Sequence, residues 1–509
     1  MDYVDAPEQS QQKTLPSKRH RFWITIAALS GLFLSALEMN VVGTAAPLIV
    51  KDLGGFEYFG WLFAIYLLTS TLAMPFWGRA CDHWGRSATF QAALGFFMLG
   101  SVVCALAPSF WILVIGRAIQ GLGSGGLLPI SFTLVTDVHD MKTRTKLQAV
   151  LSGIWGIANA LGPFLGGYLA ETLSWRLIFW FNLFPGLASS VLTYKFFSVI
   201  RWEKTEFKLG PWSFLLSIGF VTPLVVAASL KNPKHAILTA CFGVIMAVLF
   251  FLREYRSKWP LIPVVLYKNR LFFLSCLSGF LSTTLVVGLS AYLPFYFQMT
   301  QNTSPTLSGL LLLPFTVSWL LFSGVSAPLM MRISYRTLVA LGMNASLAGC
   351  LLFLYYFDQM NITLSCVATS LMGAGMAFNF TVVMIATQYS VPRNLLSSAT
   401  SGIFWIRNIG GAVGTALMGL VLVLTTKNKI AAMTFPDALL GAKEKILQNP
   451  DLIVQADTTK ELFGNALPLI QKAVADGIFA SFLVFSIGIF LSWFTIAFFP
   501  KQTLKDQQT

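Results

Sequence analysis

The 509-residue sequence has little charge: only 11% of its residues are Asp, Glu, Lys or Arg, against 55% hydrophobic residues. A soluble domain carries about 25% charged residues, so the composition excludes a soluble globular protein. No polar stretch is long enough to bury a core of its own, which excludes a separate soluble domain. Long uncharged runs indicate helices that cross a membrane, rather than the short alternating strands of a porin-like barrel.

Signatures of ATP binding, catalysis and metal binding are also missing. No G-x-x-x-x-G-K-[ST] motif occurs, so we do not expect an ATP-driven pump. Because no paired His/Asp, Cys/His or metal-ligand spacing occurs, we expect no catalytic residue, cofactor or metal, and an integral-membrane enzyme is a remote alternative. The six cysteines show no paired spacing, which argues against a disulfide framework or zinc site.

What the sequence does contain is a series of fourteen apolar stretches, each long enough to cross a hydrocarbon core of about 30 Å. The predicted fold class is therefore an all-α membrane protein with fourteen transmembrane helices. The predicted spans are 22–48, 59–77, 88–107, 110–136, 146–171, 176–198, 211–230, 236–252, 271–297, 306–330, 337–357, 362–386, 397–424 and 478–499.

Basic residues gather in alternate gaps between these spans. Short gaps on one side hold only Lys51, Arg176, Lys231 and Lys234, whereas the other side, which includes the N-terminal tail, holds most of the Lys and Arg residues. The positive-inside rule places the basic side in the cytoplasm, so both termini are predicted to lie inside. The long gap 425–477 is exempt from this rule, because long loops cross the membrane largely regardless of their charge. Topology thus explains the net charge of +14, and we expect no nucleic-acid partner.

The chain contains an internal repeat. The segment SGIWGIANALGPFLGG (152–167) and the segment SGIFWIRNIGGAVGTA (401–416) share Ser, Gly, Ile, Asn and Gly in register. A repeat of this kind predicts two related six-helix bundles with a substrate site between them. Close packing of Gly-rich membrane helices is the alternative source of such similarity. Because the repeat relates span 5 to span 13, two extra spans must lie between the bundles, and spans 7 and 8 fit that position.

This repeat predicts the organisation of the whole chain. We expect a disordered cytoplasmic tail over 1–21, an N-terminal bundle over 22–198, an inserted two-helix region over 199–270, a C-terminal bundle over 271–499 with an outside loop at 425–477, and a cytoplasmic tail over 500–509.

Four motifs follow one another in the first half. The gap after span 2 reads GRACDHWGR, span 4 reads IGRAIQGLGSGG, span 5 contains LGPFLGG and span 6 opens with WRLIFWFNLFPG. Together they closely resemble the major facilitator superfamily over about residues 22–500. The G-P-x-x-G-G element resembles the signature of its antiporters. Fourteen spans and the long loop before the last one resemble the 14-span drug:proton antiporter branch (QacA/EmrB type), which implies two pseudo-symmetric six-helix bundles with two inserted spans.

The sequence departs from the pattern of that branch at four positions. In the first span, Glu38 replaces an aspartate and Asn40 replaces a threonine. In the gap after span 2, Ser87 stands where a second basic residue is usual and Ala80 stands where a leucine is usual. Position 38 thus keeps an acidic side chain, which is one methylene group longer than that of the usual aspartate.

Three ionisable residues lie deep inside predicted spans, where a charge costs at least about 2.5–3.5 kcal/mol. Glu38 is predicted to carry the coupled proton with Arg117 as its partner, and a static ion pair is the alternative. Arg407 has no evident acid in its own bundle, so it is expected to face an anionic substrate group or to pair across the interface. The residues predicted to line the substrate cavity are Asn40, Thr44, Gln120, Arg407 and Asn408.

The gap after span 2 is predicted to control conformation. A helix N-terminus favours an anion, so Asp82 is expected to accept hydrogen bonds from the start of span 13, near Ser397 and Ser398, in one state only. The glycines at 78 and 85 are expected to permit a tight turn. Span 5 is expected to act as a hinge, because its proline bends the helix and its glycines lie on one helical face, with ordinary close packing as the alternative. The complete predicted set is Gly78, Asp82, Gly85, Arg86, Gly162, Pro163, Gly166 and Gly167.

The resemblance and the buried acid together predict proton-coupled export of amphipathic drugs or toxic organic compounds by alternating access. The alternative is proton-coupled transport of amino acids, such as basic amino acids into a vacuole, or of another small metabolite. The expected partners are a small-molecule substrate, protons and the lipid bilayer, with the chain acting as a monomer. The expected location is the plasma (cell inner) membrane, with the vacuolar membrane as the alternative.

Overall fold

A computed structural model describes residues 16–54, 61–197, 210–227, 230, 233–301, 303, 305–359, 361–433 and 467–503. All regular secondary structure in these ranges is helical, so the predicted all-α class is confirmed for them. The α-helices are α1 (Lys18–Leu53), α2 (Trp61–Trp84), α3 (Arg86–Ala105), α4 (Phe110–Val138), α5 (Met141–Thr172), α6 (Arg176–Phe181), α7 (Leu183–Phe196), α8 (Pro211–Ala227), α9 (Pro233–Arg256), α10 (Val264–Lys268), α11 (Arg270–Gln301), α12 (Pro305–Leu310), α13 (Leu313–Leu329), α14 (Tyr335–Tyr355), α15 (Ile362–Ser390), α16 (Leu396–Ala432) and α17 (Leu467–Phe494).

Twelve segments of the described chain are long and apolar enough to cross a bilayer, which shows a multi-pass membrane protein. The predicted count of fourteen is not confirmed, because α5 and α8 are not among the twelve. Helix α8 has only 17 residues. Helix α5 is long enough, at 32 residues, but the side chains of several of its residues lie outside the described part of the chain.

The same pattern of helix packing occurs in both halves of the chain. In the first half, α1 packs on α5, and α4 packs on both α2 and α3. In the second half, α11 packs on α16, and α15 packs on both α13 and α14. The two groups, α1–α7 and α11–α17, meet where α2 packs on α16 and α5 packs on α13. The repeated segments lie in α5 and α16, so each repeat belongs to the equivalent helix of its group.

Helices α8 and α9 form a hairpin that packs against α2 and α16. Phe220 and Phe250 contact the buried Trp405 ring, with centroid distances of 5.8 and 5.5 Å. On the other side of α9, large apolar side chains such as Leu238 (67% exposed) are left uncovered by the described part of the chain. Such a face suits contact with lipid rather than with water.

Two predicted gaps are shorter than the sequence indicates. Helix α2 continues beyond the predicted end at 77 as far as Trp84. Helix α16 continues to Ala432 and α17 begins at Leu467, so both helices extend into the predicted loop 425–477. Lys429 Nζ and Asp476 Oδ2 lie 2.9 Å apart there and join the two helices beyond their apolar parts. Residues 434–466 of that loop, and residues 1–15 and 504–509 of the predicted tails, lie outside the described residues.

Candidate functional site

The acid of the first span lies in a closed network of hydrogen bonds. Arg117 Nη1 donates to Glu38 Oε1 at 2.5 Å, and Asn182 Nδ2 donates to Glu38 Oε2 at 2.6 Å. Each of these three residues is only 1% exposed. Both carboxylate oxygens therefore have a donor, and one guanidinium compensates the buried negative charge.

Arg117 keeps several partners besides the acid. Its Nη1 also donates to Gln120 Oε1 at 2.8 Å, and its Nε donates to Leu62 O at 3.2 Å. Its Cζ lies 4.2 Å from the centroid of the Tyr66 ring, a cation–π contact. Gln120 in turn donates to Ser101 Oγ at 2.9 Å. These residues all belong to the first helix group. Gln120 thus takes part in the network around the acid, and its place in the substrate cavity stays a prediction.

Asn182 is a site residue that the sequence patterns did not predict. This residue stands at the junction between α6 and α7. Pro185 lacks an N–H, so it cannot donate to the carbonyl of Phe181 one turn earlier, and the helix of the sixth span is interrupted near this point. The available signal was an uncharged polar residue followed by proline in the apolar run WRLIFWFNLFPG.

A cluster of charges at the end of α2 joins the two helix groups. Ser398 N and Ser398 Oγ donate to Asp82 Oδ2 at 3.0 and 2.6 Å. Arg86 Nη1 donates to Asp82 Oδ1 and Arg86 Nε donates to Asp137 Oδ2, both at 2.9 Å. Because α16 begins at Leu396, Ser398 lies in its first turn, where unpaired N–H groups favour an anion. The contact expected between Asp82 and the start of span 13 is therefore present.

The two glycines of this region act differently, and the expected turn at Gly78 is wrong. Helix α2 continues through Gly78, and the chain turns only at Gly85, whose φ of 88° strains any residue with a side chain. At Gly78, an added Cβ would lie 2.7 Å from Ser401 Oγ and 3.3 Å from Ser397 O. The missing side chain at Gly78 therefore lets α2 pack closely on α16.

A second polar contact joins the groups near the same end of the helices. Thr136 Oγ1 and Gln148 Nε2 donate to Gln388 Oε1 at 2.9 and 3.0 Å. Gln388 Nε2 donates to Thr400 Oγ1 at 3.2 Å. All four side chains are buried. The sequence does not predict this cluster, because isolated uncharged amides in membrane helices give no distinctive pattern.

Arg407 and Asn408 lie where the second group approaches the first. Arg407 is 4% exposed, and its Cζ lies 4.3 Å from the centroid of the Phe380 ring. Asn408 Nδ2 lies 3.5 Å from Thr71 Oγ1 of α2, across the contact between the groups. The positions of both are compatible with the predicted cavity, whose lining stays a prediction.

The side-chain environments of four other predicted site residues lie outside the described part of the chain. These are Asn40 and Thr44 of the predicted cavity, and Pro163 and Gly167 of the predicted hinge. Gly162 and Gly166 are buried on α5, which is helical from Met141 to Thr172. A hinge at this place stays a prediction. Among the described residues, no group of three or more His, Cys, Asp or Glu side chains is placed to hold a metal ion.

Comparisons with known proteins agree with this architecture. Residues 28–415 match the family model described as "Major Facilitator Superfamily". The chain is 28% identical over 501 residues to "Multidrug resistance protein 3" of Bacillus subtilis, covering 95% of this chain and 96% of that protein. It is 31% identical over 488 residues to "Efflux pump FUS6" of Gibberella fujikuroi, covering 89% and 88% respectively. The crystal structure of the human organic anion transporter MFSD10 (TETRAN) shares the fold, with a TM-score of 0.62, 16% identity, and coverage of 94% of this chain and 99% of that one.

Proposed function

This chain belongs to the major facilitator superfamily, and on that premise we propose that it exports amphipathic organic compounds in exchange for protons. The observation that carries the proposal is similarity along nearly the whole chain to proteins named for multidrug resistance and efflux. Proton coupling supplies the work. Each proton that moves inward yields about 2.3 kcal/mol per 100 mV of membrane potential and about 1.4 kcal/mol per pH unit.

We propose that Glu38 carries the proton and that Arg117 is its counterion. Removing one charge from a buried ion pair costs about 3–5 kcal/mol when the other charge is left alone. Here Arg117 would keep the Leu62 carbonyl, the Gln120 side chain and the Tyr66 ring after the acid is protonated. These remaining contacts reduce the cost of neutralising Glu38, so Glu38 can bind and release a proton without disrupting the fold.

We propose that the polar contacts between the helix groups close the cytoplasmic side in this conformer. The Asp82–Ser398 contact and the Gln148–Gln388 contact both join the groups near the ends predicted to be cytoplasmic. Opening to the inside must break both contacts. Reforming them favours the conformer that is closed inside, as alternating access between two bundles requires.

Replacing Asp82 with asparagine is expected to slow transport several-fold while the protein stays folded. The substitution removes the interaction of an anion with the N-terminus of α16, worth about 0.3–2 kcal/mol. The measurement is the initial transport rate in proteoliposomes at equal protein content. Asp358→Asn, which removes the same charge from an exposed position, is the control and should have no effect. An unchanged rate for Asp82→Asn would remove this role.

We further propose the 14-span topology, with α5 and α8 crossing the membrane and both termini inside. The proposed units are a bundle over 22–198, an inserted region over 199–270 and a bundle over 271–499. Because α5 packs along α1 and α13, and α8 packs along α9, both helices lie beside segments that are apolar enough to span. We place the protein in the plasma membrane and expect a monomer.

The topology gives a direct labelling prediction. In a variant with the six cysteines replaced, Pro450→Cys should react with an impermeant thiol reagent on intact cells. Lys505→Cys should react only after the cells are permeabilised, because the predicted C-terminus lies in the cytoplasm. The reverse pattern would contradict the proposed orientation.

Transport in proteoliposomes with an imposed pH gradient tests the proposed function. Purified protein is supplied separately with organic dyes, drugs and lysine, and uptake is measured with and without a protonophore. We expect accumulation of amphipathic organic compounds that collapses when the protonophore is added. Accumulation of lysine alone would instead favour an amino-acid carrier. Transport at the same rate with and without the pH gradient would contradict proton coupling.

A further inference from the structure

A cluster of aromatic rings stands where the two helix groups meet. Phe380 of α15 lies at its centre. Trp155 of α5 stacks on Phe380 with a centroid distance of 5.8 Å, and Phe132 of α4 lies 6.0 Å from it. From the second group, Trp319 lies 5.8 Å and Phe404 lies 5.9 Å from the same ring. The cluster therefore contains rings from both groups, and they must separate when the groups move apart.

One cation is buried against this cluster. The guanidinium of Arg407 lies over the Phe380 ring at 4.3 Å. Its stem fits against Gly279 of α11, where an added Cβ would lie 2.7 Å from Arg407 Cγ. Arg407 is the twelfth residue of α16, which places it about 16 Å along the helix, near the middle of a membrane about 30 Å thick.

Three hydrogen-bond donors of this cluster are left without an acceptor. Within the described chain, Arg407 Nη1, Trp155 Nε1 and Trp319 Nε1 are buried and have no hydrogen-bond partner. Buried polar groups are normally paired, so each unpaired donor needs an explanation. All three belong to side chains that contact the Phe380 ring, and each can be satisfied only by a group that accepts a hydrogen bond.

The buried acid of the first span does not supply that acceptor. Both oxygens of Glu38 are already held, by Arg117 and by Asn182. Arg407 is therefore not neutralised by the proton-carrying pair. A carboxylate or sulfonate on the substrate would both compensate the charge of Arg407 and accept its hydrogen bonds.

We propose that this cluster is the substrate site and that it selects aromatic compounds bearing an anionic or strongly accepting oxygen group, rather than organic cations. The inference rests on the proposed transport function and names its substrate class. When the groups separate, a planar ring takes the place of one aromatic partner of Phe380, and its acidic group reaches Arg407 and the two indole N–H groups. A cation would meet an uncompensated positive charge and three groups that cannot accept a hydrogen bond from it.

Three probes with one ring system test this selectivity: 2-naphthoate, 2-naphthamide and trimethyl-2-naphthylammonium. Equilibrium binding of each radiolabelled probe is measured with purified protein in detergent, and uptake is measured in proteoliposomes. We expect the order carboxylate, amide, ammonium, with about a 10- to 100-fold difference between carboxylate and ammonium. Tighter binding of the ammonium probe by the wild-type protein would overturn the proposal.

Variants separate the charge of Arg407 from the indole donors. Arg407→Gln should weaken carboxylate binding about 10-fold or more and change amide binding little. Carboxylate binding by Arg407→Lys should be weaker than by the wild type and tighter than by Arg407→Gln, because lysine keeps the charge and loses the planar fork. Trp155→Phe and Trp319→Phe keep a ring and remove a donor, so they should weaken carboxylate and amide binding but not ammonium binding. Arg332→Gln, which removes a positive charge from an exposed position, is the matched control and should change nothing.

Failure of this proposal differs from failure of the transport function. If Arg407→Gln reduces binding of all three probes equally, or of none, the cluster does not select anions, even if the protein transports other compounds. If the carboxylate binds in the expected order but never moves under a pH gradient, the site is supported and the proposed transport function is wrong.

Discussion

Replacing Glu38 with glutamine is expected to abolish transport driven by a pH gradient while leaving the protein folded. Glutamine has almost the same shape as glutamate and can still accept a hydrogen bond from Arg117, but it cannot bind and release a proton. Arg117 also keeps its contacts with Leu62 O, Gln120 and the ring of Tyr66. We therefore expect substrate binding, and exchange of substrate without a gradient, to persist. Uphill transport should fall at least 10-fold, because coupling needs a group whose protonation changes.

Two measurements distinguish the proton carrier from a static ion pair. Proton release on adding substrate in detergent should be seen for the wild type and be lost in Glu38→Gln. Transport driven by a pH gradient should be lost in parallel, while exchange is kept. Glu254→Gln is the matched control, because Glu254 is equally buried, at 1% exposure, but lies at the end of α9, and its Oε1 accepts from Ile262 N. Retained gradient-driven transport in Glu38→Gln would reject the carrier role.

The alternative of a static ion pair makes a different prediction for the same variant. If the Glu38 charge serves only to stabilise the fold, the contacts that Arg117 keeps would not offset the loss of its counter-charge, and the variant would be destabilised by about 3–5 kcal/mol. Glu38→Gln would then reduce the amount of folded protein and the exchange rate as well as uphill transport. Exchange without a gradient is therefore the measurement that separates the two roles.

Replacing Gly78 with valine is expected to reduce transport about 10-fold or more by preventing closure of the cytoplasmic side. A Cβ at this position would lie 2.7 Å from Ser401 Oγ, 2.8 Å from Ser401 Cβ and 3.3 Å from Ser397 O. Valine adds two methyl groups beyond that Cβ, and the backbone oxygen cannot rotate away. Helix α2 must then move away from α16, which also separates Asp82 from Ser398.

Accessibility of a cysteine in the contact between the groups tests this shift. Ser152→Cys, in a variant with the native cysteines replaced, is a close substitute for a side chain that is 1% exposed. Adding Gly78→Val should speed its reaction with a thiol reagent from the cytoplasmic side. Gly95→Val is the control, because no atom lies within 4 Å of a Cβ built at Gly95. Unchanged labelling and transport in Gly78→Val would contradict the proposed closure.

Local patterns in the sequence were enough for the class of protein and for several residues of the site. Long apolar runs predict helices because an unpaired backbone N–H or C=O is costly in lipid. The isolated charges at Glu38 and Arg117 predict an ion pair because a lone charge in a membrane is expensive. The affinity of a helix N-terminus for an anion predicts that Asp82 contacts the start of span 13, and the structure has that contact.

The sequence by itself thus determined the all-helical membrane fold and the ion pair, because each follows from the cost of leaving a group unsatisfied in lipid. Its internal repeat determined the two related halves. Only the tertiary structure decided which uncharged residues meet: Asn182 at the second oxygen of Glu38, Gln388 between Thr136 and Gln148, and Gly78 against Ser401. An uncharged amide or a glycine inside a helix costs little wherever it stands, so nothing in the sequence marks its partner. Its role depends on which helix packs against it, and that is set by the arrangement of the two helix groups.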